Sequence, residues 1–328
     1  MRLSAFMQRA VAACVLIFLL QAQVTLPIWS EAQQAASQES SIYGAARVDR
    51  NVVYGMYSGL ALLMDVYHPQ KPNGYGAILI LGSAWASPLD YGARQLKNSF
   101  QELSPFVEPL MKTGYTVFAI NHRATPRFHS PAQIEDAHRA VRFVRHFARQ
   151  YGVDPARIAA VGYSSGAHLA SLLGLMDAPG SDSSRDPVEH ESGRVQCVVA
   201  GGTPADLANV TDSPEALGIL TGFLGEQVPA NHALNSAVHK RLEEASPIHY
   251  VKAGAPPFLL FHGDADELVP YAGAVELQAA LAKVHTPVKL ITIRGGTHGS
   301  VLTLESDEFT GEMTAWLDEY LRQNRRKN

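Results

Sequence analysis

The chain has 328 residues, 46% of them hydrophobic and 18% charged, an ordinary globular balance with enough length for one large α/β domain. A net charge of −4 gives no basic footprint for nucleic acid, and two cysteines, Cys14 and Cys197, exclude a disulfide framework.

Arg2 and Arg9 precede an apolar stretch from Ala10 to Leu20, the n-region and h-region of a secretory signal. Small residues in Ser30-Glu31-Ala32 put cleavage after Ala32, so residues 1–32 read as a signal peptide. The run is short for a membrane span, which needs ~20 apolar residues. An uncleaved N-terminal anchor is the alternative. Export to the periplasm or the outside follows, with Cys14 leaving with the signal and Cys197 buried in the apolar run Val195 to Ala200. Residues 33–46, rich in Gln, Ala and Ser, read as a flexible leader, and 47–328 as a single domain.

Val48 to Tyr57 and Leu60 to Tyr67, flanking Ser58-Gly59, predict a hairpin. Ala77 to Leu81 is a continuous apolar run, the mark of a strand buried on both faces. Residues 94–113 look helical but broken by Pro105 and Pro109. Tyr115 to Ile120 predicts a strand. Apolar residues at 134, 137, 141, 144 and 148 form a helical stripe within 131–151. Arg157 to Val161 then predicts a strand and Ala167 to Leu175 a helix. Val195 to Ala200, Phe258 to Phe261 and Val288 to Ile293 predict three more strands. Helices are expected from Tyr271 to Val284 and from about Asp307 to Leu321. Alternating strands and helices imply an α/β architecture, a mostly parallel sheet covered on both faces. Residues 177–194 are expected as a surface loop and 203–250 as a small cap or lid over the site.

Between the fifth predicted strand and its helix lies Gly162-Tyr163-Ser164-Ser165-Gly166. Strand, tight turn and helix are the context of a G-x-S-x-G nucleophile elbow, which lifts a serine hydroxyl above the sheet edge. Only Ser164 has glycine at both −2 and +2. A serine hydroxyl is a weak nucleophile; it needs a base and a group to orient that base, and on this elbow they follow in the order Ser, Asp/Glu, His. His262-Gly263-Asp264-Ala265-Asp266-Glu267 follows one strand and Arg294-Gly295-Gly296-Thr297-His298 the next. His298 is the expected base. Asp266 is preferred as the acid, because Asp264 directly follows the strand-ending glycine and suits the turn itself. His168 is expected to pack beside the site and His262 to serve loop geometry. The oxyanion hole needs the Ser165 N–H and a second backbone donor from Leu81-Gly82-Ser83-Ala84-Trp85, with Ser83 or Ala84 as candidates, which point correctly if their φ is negative. Trp85 either braces that loop or lines the acyl pocket, or else packs in the core, and Tyr163 is a candidate for substrate contact.

From about Val52 to Leu321 these parts resemble the α/β-hydrolase superfamily. Within it they resemble the bacterial feruloyl-esterase-like (BD-FAE-like) carboxylesterases, near the hormone-sensitive-lipase-like esterases. The resemblance rests on Gly162, Ser164 and Gly166, on Leu62 to Pro69, on Asp154 to Ile158, on Ala245-Ser246-Pro247 and on the loop His262 to Pro270. It implies the α/β-hydrolase fold and a serine carboxylic-ester hydrolase, with Ser164 as nucleophile, His298 as general base and acid, and Asp266 as the orienting acid. It also implies a small-molecule ester substrate, with no metal and no organic cofactor. After signal cleavage no stable membrane partner is expected. The family usually has H-G-G-G-W where this chain has Leu81-Gly82-Ser83-Ala84-Trp85. A prolyl-oligopeptidase-type peptidase shares the elbow and the acid loop but usually carries a large N-terminal propeller. A catalytically silent binding protein on the same fold is the third expectation, supported by the altered oxyanion loop.

Overall fold

Five strands are buried at every residue, and they make the middle of the molecule: β3 (Gly76–Ile80), β4 (Thr116–Ile120), β5 (Ile158–Tyr163), β6 (Cys197–Gly201) and β7 (Phe258–Gly263). Runs such as Phe258-Leu259-Leu260-Phe261 have no polar face to show water, so they are stable only between two layers of helix. The computed structural model describes residues 43–90, 95–98, 100–210, 213–230, 236–301 and 307–323. The expected signal peptide and most of the leader lie outside them. The end of the expected leader gives way to β1 (Ala45–Tyr57), which pairs antiparallel with β2 (Leu60–Pro69) as the predicted hairpin.

The eight-stranded sheet runs β1-β2-β4-β3-β5-β6-β7-β8, with β8 (Val288–Ile293) at its far edge. β1, β2 and β4 pair antiparallel, and every pairing from β4 to β8 is parallel. The chain passes from β3 to β4 on one side and returns to put β5 on the other. The carboxyl ends of β3 and β5 therefore border a topological switch point, where open α/β sheets form their ligand crevice.

Seven α-helices are present among the described residues: α1 (Phe100–Thr113), α2 (Ala132–His146), α3 (Ser165–Leu175), α4 (Pro214–Leu224), α5 (Ala237–Ala245), α6 (Tyr271–Lys283) and α7 (Asp307–Gln323). The apolar stripe of α2 is buried as its spacing predicts, at Ile134, Ala137, Val141 and Val144. The expected break in α1 is absent: Pro105 and Pro109 lie inside a continuous helix. Each interior proline costs ~3 kcal/mol of local propensity. Leu103, Phe106, Val107, Leu110 and Met111 are buried along the same helix, and a buried large side chain contributes ~1.5–3 kcal/mol each, which outweighs that cost. Cys197 is buried as expected, and burial pushes its thiol well above the ordinary range.

Three buried histidines make the fold sensitive to acid. Burial pulls His138 and His168 down to about 4, and it lowers His122 as well. The unfolded imidazole takes its proton near 6.5. Between these values the unfolded chain binds more protons, so stability falls as pH falls. The slope is about 1.4 kcal/mol per pH unit for His138 and for His168, and His122 adds to it in the same direction. Urea unfolding at pH 7.5 and pH 5 is expected to show this loss, and a flat profile over that range would contradict it.

Candidate active site

β5 ends in the sharp turn that the glycines allow. A Cβ on Gly162 would lie 2.3 Å from the Gly166 carbonyl oxygen, and one on Gly166 would lie 2.0 Å from the Ile80 carbonyl oxygen. Between them Ser164 adopts φ 54 and ψ −126, the left-handed region that non-glycine residues rarely occupy. Its N–H donates to the Gly201 carbonyl at 2.8 Å and its carbonyl accepts from the His168 N–H at 3.0 Å. The strained residue is thus clamped between β6 and α3.

The three residues of the expected triad meet at the carboxyl ends of β5, β7 and β8. Ser164 Oγ lies 2.9 Å from His298 Nε2, and His298 Nδ1 lies 2.7 Å from Asp266 Oδ2. A carboxylate only accepts, so Nδ1 carries the proton and Nε2 is left to accept from the serine hydroxyl. Burial opposes ionisation of Asp266. The donors from His262, His298 and the Val269 N–H overcome it and hold the carboxyl well below the usual range. Asp266 Oδ1 accepts the Leu268 and Val269 N–H groups at 3.0 and 2.8 Å, while Oδ2 faces His298 and, at 3.2 Å, His262 Nε2. The His262 ring also donates to the Val269 carbonyl at 2.9 Å, so it bridges the acid loop and its carboxylate. The sequence reading saw only the loop role. The i, i+4 spacing of His262 and Asp266 around the turn was the available signal for the rest. Asp264 lies elsewhere: its Oδ1 accepts the Gly295 N–H at 2.6 Å and ties the acid loop to the loop of His298. Glu267 is exposed.

The oxyanion candidates separate. The Ser83 N–H is committed to Ser165 Oγ at 2.9 Å and is not a free donor. Ala84 sits at φ 52 and Trp85 at φ 56, contrary to the negative φ on which the sequence reading of the loop depended at Ala84. The Ala84 N–H makes no hydrogen bond with a described residue. Ser165 opens α3, where the first N–H groups of a helix have no intrahelical partner and the helix dipole favours negative charge. Ala84 and Ser165 are therefore the pair with backbone donors to offer. Because Ala84 is already left-handed, Ala84→Gly is expected to keep activity within about threefold and change stability by less than about 1 kcal/mol. Ala84→Val, β-branched at positive φ, is expected to lose ~1–2 kcal/mol and most of the activity. Melting temperature and kcat/KM on the two variants check this.

Tyr163 is not a substrate contact here. Its side chain is buried, its hydroxyl donates to the His298 carbonyl oxygen, and its ring lies 5.3 Å from the imidazole, so it braces the base. Trp85 packs in the hydrophobic core, the alternative its sequence context left open. It is buried against Phe223 and His168, and it borders a small cavity of about 50 Å³ beside Ser164. That cavity is also lined by Pro204, Leu207, Val210, Ile219 and Leu220, all from the segment 203–250. Among the described residues no group of His, Cys, Asp and Glu is arranged to hold a metal ion.

The chain has recognisable relatives. The model of the BD-FAE family matches residues 64–281. The probable carboxylic ester hydrolase LipM of Mycobacterium tuberculosis (strain ATCC 25618 / H37Rv) is 31% identical over 235 residues, 70% of this chain and 50% of LipM. Esterase LipQ of the same organism is 32% identical over 240 residues, covering 70% of this chain and 52% of LipQ. The chain thus spans about half the length of these curated relatives. Among solved structures, a truncated carbohydrate esterase from gut microbiota superposes with a TM-score of 0.70 at 27% identity, over 85% of this chain and 98% of that one. An acetyl ester-xyloside bifunctional hydrolase from Caldicellulosiruptor lactoaceticus gives 0.69 at 25% identity, over 82% and 95%.

Proposed function

The chain belongs to the BD-FAE family, with the α/β-hydrolase fold, and we propose that it hydrolyses carboxylic esters through an acyl-enzyme on Ser164. The observation that carries the reading is the unbroken line Ser164 Oγ, His298 Nε2, His298 Nδ1, Asp266 Oδ2, with contacts of 2.9 and 2.7 Å. The named esterases among its relatives support the same chemistry.

Ser164 attacks the ester carbonyl as His298 Nε2 takes its proton. The tetrahedral oxyanion accepts hydrogen bonds from the Ala84 and Ser165 N–H groups, donors of the kind whose individual loss costs ~2.7–4 kcal/mol. His298 then hands the proton to the leaving alcohol oxygen, and the acyl group stays on Ser164. Water, activated by the same imidazole, releases the acid. Asp266 keeps its charge throughout, fixing the tautomer and stabilising the imidazolium. No step calls for a metal or organic cofactor. The open Ala84 donor weighs against the silent-binder alternative, and nothing among the described residues favours the peptidase over the esterase.

A fluorophosphonate ester tests the reading. Mass spectrometry is expected to find one adduct per chain, on the peptide that carries Ser164, with simultaneous loss of p-nitrophenyl acetate hydrolysis. Labelling elsewhere, or activity surviving full labelling, would overturn it. Feruloyl esters and acetylated sugars belong in the same substrate panel. Export remains part of the proposal, with the mature chain starting near Gln33. Intact mass of protein from the native host tests it, and a full-length cytoplasmic species would contradict it.

A further inference from the structure

The reading of Ser164 as an acylated nucleophile gives the carbonyl carbon three remaining substituents to place. The oxyanion turns to the Ala84 and Ser165 N–H groups. The leaving oxygen must lie within hydrogen-bond reach of His298 Nε2, which donates its proton. The acyl chain takes the direction that is left. The 50 Å³ cavity has Ser164, Ala84, Ser165 and Trp85 in its wall, while His298 is not part of it. It is therefore the acyl side of the site. A single water needs at least ~10–15 Å³ of such space, so the cavity holds only a handful of heavy atoms, an acyl group of about two to four carbons.

A second cavity of about 320 Å³ lies behind it. Its wall joins His168, Phe223 and Leu172 to the polar Gln133, Arg241 and Glu244, and its size falls within the range of small-molecule sites. Trp85 borders the first cavity only; His168 and Phe223 border the second only. Yet the three rings are packed together. Trp85 stacks on Phe223 with centroids 4.2 Å apart and 27° between planes, and it meets His168 edge-on at 4.9 Å. His168 is itself anchored, its Nε2–H donating to the Ala245 carbonyl at 2.7 Å. The two spaces are separated by a partition about two side chains thick.

We propose that Trp85, backed by Phe223 and His168, is the partition that sets acyl length. It confines the native site to short acyl groups and stands between them and a second cavity large enough for a medium-length chain. Trp85 is thus a specificity-determining residue, and its removal deepens the first cavity until Phe223 and His168 become its end wall.

The test measures kcat/KM for p-nitrophenyl acetate, butyrate and octanoate on the wild-type chain, Trp85→Leu and Phe223→Leu. The readout is the octanoate-to-acetate ratio within each protein, so damage to the oxyanion loop, which affects both esters, cancels. The wild type is expected to disfavour octanoate by about 100-fold or more, since each excess methylene in a closed pocket is discriminated by ~10-fold or more. Trp85→Leu is expected to raise the ratio at least about 30-fold. Phe223→Leu, which gives Trp85 room to retreat and is the milder change if Trp85→Leu does not fold, is expected to raise it several-fold. A wild type that takes octanoate as well as acetate overturns the proposal, and so does a ratio unmoved in the folded variants. A wild type that hydrolyses none of the three and is not labelled at Ser164 overturns the ester-hydrolase reading instead.

Discussion

Ser164→Ala is expected to lower kcat/KM for p-nitrophenyl acetate by about 10⁵–10⁶-fold while leaving the melting temperature within a degree or two. The size follows from what one oxygen atom does: it forms the covalent bond, and no neighbouring group can take over its line to His298. The small effect on stability follows from what it does not do, since Oγ lies against the imidazole and holds no element in place. Ser165→Ala is the control, because the serines are adjacent. It keeps the Ser165 N–H and loses only the bond from the Ser83 N–H to Oγ, so a loss of at most about tenfold is expected. If the two effects were reversed, Ser165 would be the nucleophile.

Asp266→Asn is expected to cost about 10⁴-fold in kcat/KM and Asp264→Asn less than about tenfold. The asymmetry comes from hydrogen-bond sense. Two backbone N–H groups point at Asp266 Oδ1, so an asparagine must keep its oxygen there. Its NH₂ then faces His298 Nδ1, which is forced to accept, and the proton moves to Nε2, where it blocks the base. Asp264 only receives the Gly295 N–H, and an amide oxygen accepts that bond equally well. Steady-state kinetics with circular dichroism to verify folding separates the two acids. Similar losses in both variants would mean that the loop as a whole, and not the carboxylate of Asp266, is what matters.

The parts of the site that were legible in the sequence are those with a local signature. The fully buried strands read as apolar runs because neither face meets water. Ser164, Asp266 and His298 read from chain order and from loops at strand ends. What was not legible depends on partners far along the chain. Tyr163 looked like a substrate contact because its hydroxyl finds its acceptor at a carbonyl 135 residues away. Ser83 looked like a free donor because nothing local announces that Ser165 Oγ accepts its N–H. Ala84 shows no preference for positive φ; the turn after β3 imposes it. The prolines of α1 signalled a break, and the helix persists because its buried stripe is a tertiary gain that a local reading does not weigh.

The strand order puts the nucleophile and the base in different surroundings. Ser164 hangs from β5, inside the sheet and flanked by β3 and β6, whereas His298 follows β8, the last strand, paired on one side only and with every residue half-buried or exposed. A sheet opens first at its margins, since those hydrogen bonds break without disturbing the interior. Opening there carries the imidazole out of line while the interior strands stay assembled. Activity is therefore expected to fade on warming before the fold melts, and to return on cooling without refolding; hydrolysis rate followed beside circular dichroism checks this.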